Sequence, residues 1–101
     1  MQAEQLRDQT VAILDDMKAL DVNVIDVRGK TSITDFMIIA SGTSDRHVKA
    51  IAEAVVFKSK QAGESPIVTE GVTDREWALV DLNVVVVHVM HPRVRYFYKL
   101  E

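Results

Sequence analysis

The sequence contains no cysteine among its 101 residues. This absence excludes disulfide bonds, thiolate nucleophiles and cysteine-based zinc sites. Basic residues are also fewer than acidic ones: the sequence has 12 Lys and Arg and 15 Asp and Glu, which gives a formal net charge of -3. A basic surface spread over the whole chain, as nucleic-acid binding requires, is therefore not expected.

Long apolar runs are missing as well. The longest, "VVVVHVM" at 84–90, is far shorter than the roughly 20 residues that a membrane-spanning helix needs. The first ten residues are polar and do not resemble a signal peptide. We therefore expect a cytoplasmic protein without membrane contact. The length and the 48% hydrophobic content suit one domain over residues 1–101.

Apolar spacing predicts the order of helices and strands. Steps of three and four residues predict a first amphipathic helix, with a stripe at Leu6, Thr10, Ile13, Met17 and Leu20. Strands are predicted at 22–27 and 36–40, the second buried on both faces. A second helix is predicted from Asp45 to Ala62-Gly63, with the stripe Val48, Ile51, Ala52, Val55 and Val56.

The last third of the chain reads as strands and one short helix. Strands are predicted at 67–71, 77–82 and 84–90, and the last two meet at Asn83 in a hairpin or a sharp bend. Pro92 is predicted to be the first residue of a final helix. The whole order predicts an α/β or α+β domain, with a mixed sheet of about five strands flanked by helices.

The turn at 41–44 raises the possibility of a phosphate site. A strand, a small-residue turn and a helix N-terminus are the usual geometry for one. However, the turn has a single glycine, Gly42, and no Gly-Lys-Ser/Thr, while Asp45 would repel a phosphate. Helix capping by Ser44 is the favoured interpretation. A small nucleotide-binding or nucleotidyltransferase-like enzyme that uses Ser41 to Ser44 is the alternative.

The residues of a catalytic or metal site do not come together in the sequence. Ser41, Ser44, Asp45 and His47 have the types of a hydrolase triad but crowd onto one turn, whereas a triad usually draws its members from separate parts of the fold. The carboxylates show no pair suited to two metal ions. His88 and His91 straddle a strand end and a proline, without the further ligands that zinc needs. We expect no catalytic residue, metal or cofactor.

A late aromatic and basic cluster suggests a binding surface. Trp77 is the only tryptophan, and Tyr96 to Tyr98 lie beside Arg93, Arg95 and Lys99. Trp, Tyr and Arg are enriched at binding hot spots. His88 alternates with Val84, Val86 and Met90, so these four share one sheet face. For Trp77 and Tyr98 both an interface and a core role stay open, and His88 is either buried or part of a recognition face.

The same segments carry a family resemblance. The strings "DVRGKTSITDF", "GTSDRHV", "EGVTDREWALVDL" and "VVHVMHPRVR", together with the "FY" after them, closely resemble the ribosomal silencing factor (iojap) family over about residues 5–101. The resemblance implies a nucleotidyltransferase-like fold without catalytic activity. It also implies binding to ribosomal protein L-fourteen of the large subunit, a block of subunit joining, repression of translation when nutrients run short, and homodimers when free.

The matching motifs imply which residues contact the partner. They are Trp77, Asp81, Leu82, His88, Met90, His91, Pro92, Arg95 and Tyr98. An apolar anchor such as Trp77 or Leu82 inside a polar rim would suit an interface with ribosomal protein L-fourteen. Arg93, Arg95 and Lys99 would contact ribosomal RNA at the edge. The chain departs from the family at Asn83-Val84, where Gly-Asp is common. The family usually continues past "YKLE" with an apolar-aromatic tail, whereas this sequence stops at Glu101, so either any role of that tail is absent or the sequence is a shortened one.

Overall fold

A computed structural model describes residues 2–30, 32–70 and 77–98. The helices are α1 (Ala3–Asp16), α2 (Asp45–Gln61) and α3 (Pro92–Tyr98). The strands are β1 (Leu20–Asp26), β2 (Phe36–Ser41), β3 (Ile67–Glu70), β4 (Trp77–Asp81) and β5 (Val85–Met90). The strands of these described residues form one sheet in the order β1-β2-β5-β4-β3. The pair β2–β5 is parallel and the other pairs are antiparallel.

This arrangement confirms a small α+β domain with a mixed sheet and flanking helices. The parallel pair is possible because the connection between β2 and β5 is long and includes α2, β3 and β4. The predicted hairpin at Asn83 is also confirmed. Asn83 has a positive φ of 75° and donates its N–H to Asp81 Oδ1 at 2.8 Å, and Asn is among the residues that tolerate this conformation best. The likeness to nucleotidyltransferases stays a prediction.

The main core lies between one face of the sheet and the helices α1 and α2. The predicted stripe of α2 is confirmed, since Val48, Ile51, Ala52 and Val55 are buried there. These side chains pack with Leu6 and Leu14 of α1 and with inward-facing residues of the sheet. Because every second residue of β5 points the same way, Val85, Val87 and Val89 all lie in this core.

The predicted end of the first helix needs one correction. Leu20 is the first residue of β1, and 42% of its surface is exposed, so it does not continue the helical stripe. The reason is local, because the helix ends at Asp16 and Lys18 adopts a positive φ of 60°. A left-handed residue after a helix turns the chain out of the helical path, and this turn redirects it into β1.

The hydroxyl of Ser59 lies in the core without a hydrogen-bond partner in the described residues. We expect Ser59→Ala to raise the free energy of unfolding by about 1 kcal/mol, since it removes a buried unpaired polar group and improves helix propensity. Urea unfolding followed by circular dichroism measures this. The neighbouring exposed position provides the control variant, Lys60→Ala, which should change stability by less than about 0.5 kcal/mol. A loss of stability in Ser59→Ala would show that the hydroxyl is paired.

Candidate interaction surface on the sheet

The second face of the sheet is covered only in part by the described residues. Strand alternation and register place the following side chains on it: Asn23, Ile25, Met37, Ile39, Ser41, Trp77, Leu79, Asp81, Val86, His88 and Met90. We call this set the open face. Helix α3 packs on one end of it, where Val94 joins Ile39 and Met90 in a small second core. Leu79, Asp81 and Val86, away from that end, are half-buried.

Trp77 and His88 form an aromatic pair on the open face. They lie on the adjacent strands β4 and β5, with ring centroids 5.8 Å apart and ring planes tilted by 46°. The Trp77 indole Nε1–H donates to His88 Nδ1 at 3.1 Å. Trp77 also packs against the second core, yet both residues remain half-buried. Part of the Trp77 ring therefore packs in the second core, and the rest of it is exposed on the open face.

The protonation state of His88 follows from this hydrogen bond. The indole N–H is a donor only, so the Nδ1 that accepts it carries no proton, and the proton of the neutral ring lies on Nε2. Burial of the ring lowers the pKa of His88 below its ordinary value of 6.5. The neutral form is therefore the dominant one at pH 7, and it places a single donor, the Nε2–H, at the open face.

Leu82 and Met90 are corrected as partner contacts. Leu82 is only 3% exposed and belongs to the main core, beside Val80 and Val85. Met90 lies on the same face as His88, as predicted, but α3 covers that end of the sheet and leaves Met90 0% exposed. Neither side chain has surface to offer a partner, so we leave both out of the proposed contact set.

Arg95 was expected to contact the partner, and the structure shows that its guanidinium group is engaged within the fold. Its Nη1 donates to the backbone carbonyl oxygen of Asp21 at 2.6 Å and to Ser41 Oγ at 3.1 Å. Asp21 has a positive φ of 50° where the pairing of β1 with β2 is irregular. The guanidinium group therefore connects α3 to the start of β1 and the end of β2. These hydrogen bonds give Arg95 a structural role.

The remaining predicted contacts lie around the start and the end of α3. His91 precedes the helix, and its Nδ1 accepts the N–H of Arg93 at 3.2 Å. Pro92 is the first helical residue, as predicted, and is exposed. Tyr98 is the last residue of α3, and its side chain lies outside the part that the structure describes, as does Lys99. Asp81 is half-buried on the open face.

The turn at 41–44 is a capping and packing device. Ser44 Oγ accepts the N–H of His47 at 3.1 Å, which confirms the predicted N-cap. The Thr43 N–H donates to His47 Nδ1 at 2.9 Å, and the Gly42 N–H donates to the Met90 carbonyl oxygen at 3.2 Å. A phosphate at this turn would need backbone amides of this kind, and these three are already used inside the fold.

Sequence reasoning missed two side chains of the open face, Met37 and Leu79. Leu79 is half-buried and faces His88 directly across the strand pair. Its signal was present, since Leu79 alternates with Trp77 and Asp81. Met37 was assigned to a strand buried on both faces, but its side chain is half-buried. The reason is that, in the described residues, α1 and α2 cover one face of the sheet, whereas α3 covers only one end of the open face.

The fold and the open face together define a small α+β domain whose candidate site is a surface for a macromolecular partner. A family model described as "Ribosomal silencing factor during starvation" matches residues 1–101. The chain therefore belongs to the RsfS family.

Individual relatives agree with this membership. Ribosomal silencing factor RsfS of Chromobacterium violaceum is 41% identical over 101 residues, which cover 100% of this chain and 83% of that protein. RsfS of Haemophilus influenzae is 44% identical over 88 residues, or 87% of this chain and 86% of that protein. A crystal structure of a Chromobacterium violaceum protein superposes with a TM-score of 0.95 at 40% identity, covering 100% of this chain and 84% of the other. The names of these silencing factors describe a regulatory role rather than a catalytic one.

Proposed function

We propose that the chain binds ribosomal protein L-fourteen of the large ribosomal subunit through the open face, and that it thereby blocks joining of the small subunit. The observation that carries the proposal is the half-buried Trp77–His88 pair, set among the apolar side chains of Leu79, Val86 and Met37. Interfaces of this kind have an apolar centre with aromatic anchors and a polar rim. Membership of the RsfS family supports a ribosomal partner.

Charge and geometry support a ribosomal protein, rather than ribosomal RNA, as the main contact of the open face. The net charge of -3 disfavours a surface built mainly for RNA backbone. Arg93 is exposed on α3 next to the open face and would supply the edge contact with ribosomal RNA. With the open face on the large subunit, helices α1 and α2 lie on the far side of the sheet, where they would occupy space that the small subunit needs.

The block itself needs no chemistry. A domain of this size prevents two large particles from joining if it occupies one patch of the shared surface with sufficient affinity. We propose that this represses translation in the cytoplasm when nutrients are limiting, and that free copies pair as homodimers. Both proposals rest on the family resemblance. None of the helices in the described residues has the length and apolar character that a bilayer crossing requires.

The test uses purified large and small subunits. The protein is mixed with large subunits, the mixture is sedimented through sucrose, and small subunits are then added. We expect the protein to sediment with the large subunit and the fraction of joined ribosomes to fall as protein is added. Co-sedimentation without any loss of joined ribosomes would contradict the proposed block. No co-sedimentation at any salt concentration would contradict the partner as well.

A further inference from the structure

His88 stands out on the open face because it is a polar, titratable group at the centre of apolar neighbours. It lies opposite Leu79 on β4 and next to Ile39 on β2. Its Nδ1 is taken by the Trp77 indole. Its Nε2 has no hydrogen-bond partner in the described residues and is not among their fully buried unpaired atoms, so it reaches the surface. A donor fixed in this position cannot be covered by an apolar group without cost.

We propose that His88 determines specificity on the open face: its Nε2–H donates to an acceptor oxygen of the partner, and the face binds only while the imidazole is neutral. This inference rests on the proposed function, because it concerns the same surface and the same partner. The acceptor would be a backbone carbonyl, a carboxamide or a carboxylate oxygen. A partner with an apolar group at that point would leave the His88 proton buried and unpaired, and would be rejected.

Protonation of His88 would disturb the pair in two ways. An imidazolium ring carries protons on both nitrogens, so its Nδ1–H would point at the Trp77 Nε1–H, and the 3.1 Å hydrogen bond would be replaced by two opposed donors. The added charge would also have to be desolvated when a partner covers the face. Both effects weaken binding of the protonated form.

Charged groups close to the open face could also affect the pKa of His88. The charged or titratable residues that the described structure places on or beside this face include Asp81 on β4, His91 before α3, and Arg93 and Arg95 on α3. Asp81 Oδ1 accepts the N–H of Asn83, and Arg95 is engaged at Asp21 and Ser41. The strands β1 and β2 contribute Asn23, Ile25, Met37, Ile39 and Ser41, none of which titrates in this range. Burial lowers the pKa of His88 from 6.5, so the loss of binding should begin below that pH.

The experiment measures the affinity of the full chain for purified large subunits between pH 5.5 and pH 8. For wild type we expect the dissociation constant to be flat above pH 7 and to rise by up to about tenfold per pH unit once His88 titrates. His88→Gln keeps a neutral donor and an acceptor, so its affinity should not change over this range. His88→Phe removes the donor, and it should bind roughly two- to tenfold more weakly than wild type at pH 7.5, again without pH dependence.

Controls separate His88 from other titrating groups. His91→Gln should keep the pH dependence of wild type, and circular dichroism should show that each variant stays folded over the range. Trp77→Phe removes the indole N–H that stabilises neutral His88, so the His88 midpoint, followed by NMR in the free protein, should move to higher pH.

The possible negative outcomes would overturn different claims. A pH dependence that persists in His88→Gln, or an affinity of His88→Phe equal to that of wild type, would overturn the inference about His88 alone. A wild-type protein that does not bind large subunits at pH 7.5 would overturn the proposed function and this inference with it.

Discussion

Gly42→Ala is expected to lower the free energy of unfolding by about 3 kcal/mol, in the upper part of the range for overpacked sites. A Cβ at Gly42 would lie 2.8 Å from the backbone nitrogen of Val48 and 2.9 Å from Val48 Cγ2. The nitrogen belongs to the first turn of α2, so relief requires the helix to move away from the sheet. Chemical unfolding of both proteins measures the loss.

A second glycine provides the control for this prediction. Gly63 follows α2 with a φ of +90°, and a Cβ there would meet nothing within 4 Å. Gly63→Ala should therefore cost only the strain of a left-handed residue, roughly 1–2 kcal/mol. Gly42→Ala should cost less in a Val48→Ala background than in wild type, because the Cγ2 clash is gone and only the clash with the backbone remains. A double-mutant cycle measures this, since Val48 is buried in the core and Val48→Ala alone is also destabilising. If Gly42→Ala costs no more than Gly63→Ala, the close approach is not what holds glycine at this turn.

Trp77→Ala is expected to weaken binding to purified large subunits by about 30-fold or more, the loss typical of a central aromatic hot spot. The variant removes the large ring of the open face and leaves His88 Nδ1 without its donor. Binding is measured by titrating labelled protein with large subunits at pH 7.5. The ring also packs on the second core, with Ile39 and Met90, so the free energy of unfolding should fall by about 2 kcal/mol.

The two effects of Trp77→Ala are separated by measuring binding well below the unfolding transition. Trp77→Phe serves as the matched control, because it keeps most of the packing and loses the hydrogen bond to His88. It should bind with an affinity between those of Trp77→Ala and wild type. Complete unfolding of Trp77→Ala at 25 °C would show that Trp77 is a core residue and that the open face lacks its proposed anchor.

Features encoded within a few residues of the chain were predictable from the sequence. Ser44 was identified as the cap of α2, Pro92 as the first residue of α3, and Asn83 as the link between β4 and β5. Each depends on local backbone geometry, which residue type determines directly. The apolar stripe of α2 was predictable for the same reason, since helical spacing alone assigns its buried side.

Features that depend on contacts between distant segments were not predictable. Arg95 and Asp21 are separated by 74 positions in the chain, and no spacing rule links the guanidinium group to that carbonyl. Met90 was placed on the correct face, but only the docking of α3 shows that its end of the face is covered. Leu82, by contrast, could have been assigned to the core from the sequence, because it alternates with the buried Ala78 and Val80.

The most direct test of the central claim compares the two sides of the sheet. Leu79→Glu places a charge on the open face, opposite His88. Phe57→Glu places the same charge on the outer side of α2, at a side chain that is 62% exposed and lies across the sheet from the open face. The affinity of each variant for purified large subunits is measured at pH 7.5 beside wild type.

We expect Leu79→Glu to bind at least about tenfold more weakly, because a buried unpaired carboxylate is costly at an apolar interface. Phe57→Glu should stay within about twofold of wild type, as substitutions outside an interface do. Equal affinities for the two variants, or a loss confined to Phe57→Glu, would contradict the assignment of the open face as the surface that meets the ribosome.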